Sequence, residues 1–276
     1  ALNLATDADS RMKVDTIFST PVSTITIGTK ADPVEADVDV EIIFNDGPID
    51  LARDPGQFSR GIVAHGEISI HGAEKAAYLA LAAEPMAGDS EIRVEGDASG
   101  WQVGDTLVIM GTHRAGYNND GTLRTQDEER TITALDGNAI TLDRALKHDH
   151  DAPQGFDFDV FVGNQTRNVL LTSENPEGVR GHVMVMHHPE ADIRYAEFLE
   201  LGRTDKSLEF DDVTNVKGRY PLHLHRTGTD ADNPAIVVGN AVSGSPGWGR
   251  VQHDSAAAID FNFVYDIAVA GIVSES

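Results

Sequence analysis

The 276-residue chain contains no cysteine. A disulfide framework and a thiolate metal site are therefore excluded, and stability must come from packing. Nor is there a run of about 18 apolar residues, which excludes a membrane-spanning helix and with it membrane insertion. The opening Ala1-Leu2-Asn3-Leu4 has no basic stretch leading into an apolar one, so it does not read as a secretory leader. Positive charge is scarce: 21 Lys and Arg stand against 45 Asp and Glu, a net charge of −24. A field of that sign repels phosphate backbones, and nucleic acid is not an expected partner.

What remains is 40% hydrophobic, enough for a substantial core. Short runs of period two dominate, among them Val38-Asp39-Val40-Glu41-Ile42, Glu67-Ile68-Ser69-Ile70 and Arg130-Thr131-Ile132-Thr133. Asp136-Gly137-Asn138 lies between two such runs and predicts a hairpin turn, because these residues tolerate positive φ. A single helix is conceivable, over 73–83. The chain is all-β.

From about Gly163 the strand-like pieces recur without tight hairpins, in units of roughly 20–30 residues with no helical crossover. That texture predicts a solenoid of parallel strands, with an antiparallel sandwich as the alternative. Eight of the eleven histidines follow residue 145. Successive rungs of a solenoid lie roughly 4.8 Å apart, so residues one coil apart share a column. Aligning Met184-Val185-Met186-His187 with Leu222-His223-Leu224-His225, Arg250-Val251-Gln252-His253 and Ile272-Val273-Ser274-Glu275 puts His187, His225, His253 and Glu275 in one column. On that register His223 shares the outer face, while Met184, Met186, Leu222 and Leu224 point inward. So do Arg250 and Gln252, which would then need buried partners.

Imidazoles with a carboxylate at this spacing can hold a divalent metal, Ca or Zn, or act as general acid and base. His187, His223, His225, His253 and Glu275 are the candidate ligands, and His225, His253 and Glu275 the candidate catalytic groups. The alternative is a structural ladder of stacked polar side chains. Arg219, Tyr220, Arg226 and Asp254 flank the column as candidate substrate-binding residues. An Arg can grip a sugar carboxylate with two hydrogen bonds, and a Tyr can stack on a sugar or protonate it. Asn118-Asn119-Asp120-Gly121 lacks the first ligand of an EF-hand and reads as a turn.

Several segments together resemble the family of G8-domain and β-helix proteins that includes a cell-migration-inducing hyaluronan-binding protein, its transmembrane relative and fibrocystin-like proteins. They are Ile27-Gly28-Thr29-Lys30-Ala31-Asp32-Pro33, His65-Gly66-Glu67-Ile68-Ser69-Ile70-His71-Gly72, Trp101-Gln102-Val103-Gly104-Asp105, Glu129-Arg130-Thr131-Ile132, Gly218-Arg219-Tyr220-Pro221-Leu222-His223-Leu224-His225 and Val264-Tyr265-Asp266. The resemblance implies a right-handed parallel β-helix, an extracellular or cell-surface setting and a polysaccharide partner, hyaluronan-type in some members. It supports His223, His225, His253 and Glu275 as site residues. The expected organisation is a smaller, partial G8-like β module over 1–100, a hairpin-rich insertion over 101–160 and β-helix coils over 161–276, with further coils or self-association covering the open end. The expected function is glycan cleavage by hydrolysis in a groove on the solenoid face. No Lys–Arg pair suited to elimination is evident, and the alternative is a non-catalytic glycan-binding segment.

Overall fold

A computed structural model describes residues 1–113, 116–119, 124–188 and 190–276. It divides into two compact units, one formed by 1–74 with 167–276 and the other by 75–166. The described residues contain only strands and turns, so none forms a helix long and apolar enough to cross a membrane. The segment 73–83, conceivable as a helix, instead carries the strand Tyr78–Ala80.

The first unit is a parallel β-helix. Three six-stranded parallel sheets each take one strand from every coil. The sheet that carries the site contains Thr16–Ser19, Gly61–Ala64, His182–Met186, Leu222–Gly228, Trp248–Ser255 and Ala270–Glu275. Alternation explains the wrapping, since every second residue turns inward. Ile25, Ile27, Ile42, Ile62, Ile68, Ile70, Val183, Leu222 and Leu224, all at 1% exposure or less, stack into one continuous core. Burying each such side chain contributes about 1.5–3 kcal/mol. β-branched residues suit this geometry because their stiff side chains pack well on a pleated surface.

The corners are as regular as the strands. His187, Arg226 and Asp254 take φ of 58°, 53° and 45° at the same position of three successive coils. Tyr195, Gly239 and Phe261 form a second left-handed column, and Glu200, Gly244 and Asp266 a third. At Gly239 an added Cβ would come within 2.4 Å of the Tyr195 ring. Glycine is required there for space as well as for backbone conformation.

The second unit is an antiparallel sheet that contains Tyr78–Ala80, Glu91–Arg93, Thr106–Ile109, Glu128–Asp136, Ala139–Leu142 and Phe161–Asn164. Its hairpin turns at Gly137, with φ 61°, as the Asp-Gly-Asn sequence predicts. The expected turn at Asn118-Asn119-Asp120-Gly121 lies partly outside the described residues.

This partition corrects the expected organisation. Solenoid coils begin with Leu2–Leu4 rather than near residue 161, and the antiparallel unit starts at 75 rather than 101. The early strands are short and separated by loops, so they read locally as an independent module. Their hydrogen-bonded partners lie across the insertion: Val40–Phe44 pairs with Val169–Ser173, and Gly61–Ala64 with His182–Met186.

Candidate functional site

The site-bearing sheet aligns Leu222 with Arg250, His225 with His253, and His253 with Glu275, as the sequence predicts. One strand is displaced by a residue. Met186, not His187, stands opposite His225, and Met184 stands opposite His223. The strand ends at Met186 and the chain turns with His187 in the left-handed corner. Val183 and Val185 therefore fill the core, while Met184 and Met186 join the lining of an outer pocket.

Arg250 does face inward, at 1% exposure. Its Nη2 donates to Gln252 Oε1 at 3.0 Å, and Gln252 Nε2 donates to Ser274 Oγ at 3.0 Å. This polar thread continues the inner column where lower coils carry Val183 and Leu222. Arg250 Nε and Nη1 are buried without a partner among the described residues.

The outer pocket has a volume of about 480 Å³. His223, His225, His253 and Glu275 line it together with Met184 and Met186. Further residues come from the loop before Leu222, where Lys206, Phe210 and Lys217 stand over the site. Asn215, 4% exposed, pins that loop by donating to the carbonyls of Asp205 and Glu209 at 2.8 and 3.0 Å. Lys206 Nζ lies 3.4 Å from the Trp248 ring centre and 4.6 Å from that of Phe210. Burial lowers its pKa, against the opposing pull of Glu275.

One nitrogen from each of His223, His225 and His253 lies within 4.8 Å of the others. His225 and His253 face each other through their Nδ1 atoms at 3.1 Å, so one donates and the other accepts. His223 Nδ1 donates to the Gly218 carbonyl at 2.9 Å, which leaves its Nε2 with the lone pair. Burial pushes the pKa of His223 down to about 4, the Gly218 bond opposing and the neighbouring imidazoles adding to the shift. Burial, then the His253 charge, also lowers His225. Both rings are thereby held neutral, the form that accepts a proton or binds a metal.

His187 is outside this trio, although its ring stands 6.0 Å from that of His225. It belongs instead to a row of rings with His65 at 5.7 Å and Phe18 beyond it. Glu275 shares the pocket and the register position one rung above His253, but it is not part of the three-donor cluster. Arg219 is not available to grip a carboxylate. It donates through Nε to the Gln57 carbonyl and through Nη1 to that of Lys217, both at 2.8 Å, and through Nη2 to that of Gly56. Tyr220, 5% exposed, is a wall of the pocket, its ring centre 5.3 Å from those of His223 and Trp248. Burial, with the Glu275 charge adding to it, raises its pKa to about 12. Arg226 and Asp254 sit at the corners beside the pocket. Asp254 Oδ2 lies 3.5 Å from His253 Nε2 and 3.4 Å from Arg226 Nε, so they brace a histidine rather than face a substrate.

Sequence reasoning missed Lys206, Lys217, Phe210 and Trp248, which lie in a loop or at a strand start without periodic signal. His65 was legible only as part of the His-Gly-Glu-Ile motif.

Comparison with known proteins gives the chain its relatives. A G8 domain-containing protein of Dictyostelium discoideum is 29% identical over 198 residues, which cover 69% of the chain and 16% of the relative. Another from the same organism is 25% identical over 215 residues, 74% of the chain and 14% of the relative. These similarities support membership of the G8-domain family. Communication mutant protein F, also from that organism, is 28% identical over 199 residues, 69% of the chain and 16% of its own length. The chain spans less than a fifth of the length of these relatives. No family profile matches it. Among solved structures, the tailspike gp49 of Pseudomonas phage LKA1 aligns with 96% of the chain and 38% of its own, at 14% identity and a TM-score of 0.29. The gp54 tailspike of Acinetobacter baumannii phage AP22, solved with a capsular saccharide, aligns with 91% of the chain and 32% of its own, at 13% identity and a TM-score of 0.29.

Proposed function

We propose that the pocketed face of the β-helix binds and processes a polysaccharide, as part of an exported or cell-surface protein. One observation carries this reading: three imidazoles and the carboxylate of Glu275 share a pocket walled by Tyr220, Phe58 and Phe210. Concave sites with a few converging polar groups among aromatic surfaces suit a sugar, whose C–H faces pack on rings while its hydroxyls find the polar groups. Lys206 and Lys217 put positive charge at the rim of a strongly acidic protein. They supply the local complement that a uronate-bearing, hyaluronan-type chain needs.

Hydrolysis is the reaction these groups favour. Glu275 is positioned as a proton donor or base beside His253. A second reading, glycan binding without cleavage, is favoured by a specific feature: among the described residues, Glu275 is the one carboxylate in the lining. Two-carboxylate glycoside hydrolysis uses a pair roughly 5–9.5 Å apart.

The test is to incubate the protein with immobilised neutral and uronate-containing polysaccharides, scoring retention and chain shortening separately. Retention with shortening, the latter reduced about 10²–10⁴-fold by Glu275→Gln, supports hydrolysis. Retention without shortening supports the binding reading. Absence of retention on every glycan defeats both.

A further inference from the structure

The three imidazoles have the placement of a ligand set. Around a four-coordinate ion with metal–nitrogen bonds of about 2.0–2.1 Å, the donor atoms lie roughly 3.3 Å from one another. The facing Nδ1 atoms of His225 and His253 are already 3.1 Å apart, and all three donors fall within 4.8 Å. Closing the set from separations of up to 4.8 Å needs side-chain adjustment of up to about 1.5 Å.

The donors are also oriented from behind. Metal-bound histidines characteristically donate their second ring nitrogen to a carbonyl or carboxylate, which fixes the tautomer and strengthens the ligand. His223 Nδ1 donates to the Gly218 carbonyl, leaving Nε2 as its donor atom. His253 Nε2 lies 3.5 Å from Asp254, itself held by Arg226, leaving Nδ1 on the His225 side. One hydrogen-bonded bracket and one carboxylate within 3.5 Å of a second ring are more than a stacked polar ladder requires. His223 and His225 come from one strand and His253 from the strand hydrogen-bonded to it, so the backbone holds the donors rigidly.

From this geometry we infer that His223, His225 and His253 bind one divalent transition-metal ion of the zinc, cobalt, nickel or copper type. Nitrogen ligation suits these ions, whereas calcium and magnesium demand oxygen ligands. On binding, the proton shared between the facing Nδ1 atoms leaves that position for His225 Nε2, so both Nδ1 lone pairs become available. Glu275 stays outside the trio, facing the same pocket. The inference deepens the glycan reading and rests on the same pocket, but it is measurable without any glycan.

The experiment strips the full chain with a chelator, removes the chelator and titrates Co²⁺, followed by its visible absorption, with Zn²⁺ as competitor. One Co²⁺ per chain is expected, displaced by Zn²⁺ and untouched by a millimolar excess of Ca²⁺. His225→Ala and His253→Ala are each expected to weaken binding more than 100-fold. Asp254→Asn, which spares the ligands, is expected to weaken it by about 10–100-fold. No saturable one-to-one Co²⁺ binding by the folded native protein would overturn the inference, whatever the alanine variants do. Binding indifferent to Asp254→Asn and to both alanine variants would overturn it as well. Glycan retained by a protein that takes up no ion defeats the metal site alone. One ion bound with no glycan retained leaves the metal site standing and defeats the glycan reading.

Discussion

Two clusters, one in each unit, treat charge and imidazole in opposite ways. In the antiparallel unit, Glu128, Arg130 and His150 are at most 5% exposed, and each of their side-chain nitrogens and oxygens has a partner. Glu128 accepts from the backbone N–H groups of Lys147 and His148 at 2.8 and 2.9 Å, from His150 Nε2 at 3.2 Å and from Arg130. Arg130 also donates to the carbonyls of Arg144, Glu129 and Ala145. In the parallel unit, His225 and His253 offer each other one proton for two facing nitrogens, beside open pocket space. The fully partnered cluster is buried and serves structure. The unsaturated trio, beside open pocket space, keeps ring nitrogens free for chemistry.

That contrast breaks most visibly on truncation. Glu128→Ala is expected to cost about 3–5 kcal/mol, because it leaves Arg130 buried without its counter-charge. His225→Ala is expected to cost less than about 1 kcal/mol, since its ring faces a pocket rather than a filled core. Denaturant unfolding of the two variants checks both figures, and equal losses would erase the distinction.

Acid sharpens the contrast next. Burial acts to raise the Glu128 pKa, but the His148 and Lys147 N–H groups, His150 and Arg130 outweigh it and hold the value at about 2, below the ordinary 4.5. The folded unit therefore binds fewer protons than the unfolded chain. The resulting stability, roughly 3 kcal/mol, is complete above pH 4.5 and lost as pH falls toward 2. Unfolding measured between these limits is expected to show the loss in the native protein and not in Glu128→Gln.

A smaller effect is expected at the corners. Gly239→Ala places a Cβ against Tyr195 at a positive φ and is expected to destabilise by about 1–3 kcal/mol. Arg226→Ala, at an equivalent left-handed corner with an exposed side chain, is expected to change stability by no more than about 0.5 kcal/mol. Thermal melts of the pair separate the two kinds of corner.

Much of the fold was legible in the sequence. Period-two runs give strands directly, and the recurrence of Leu222–His225 as Arg250–His253 and Ile272–Glu275 gives both the rungs and their register. Two things were not legible. The coils before residue 75 pair with strands beyond the antiparallel unit, and no local pattern reports a partner about a hundred residues away. The one-residue displacement at Met186 was hidden because Met184-Val185-Met186 is apolar throughout, so alternation cannot say which residues face inward. For the site, His223, His225 and His253 could be named from spacing. The consumption of Arg219 by three backbone carbonyls could not, because an arginine's partners depend on loops that only the fold brings close.

The most direct test of the site is to follow the ring nitrogens of all eleven histidines by NMR while Zn²⁺ is added to the metal-stripped protein. His223 is expected to be ligated through Nε2, and His225 and His253 through Nδ1, all three shifting together and saturating at one equivalent, with His113 and His188 unmoved. Shifts spread over His113 and His188, or none at the trio, would contradict the site.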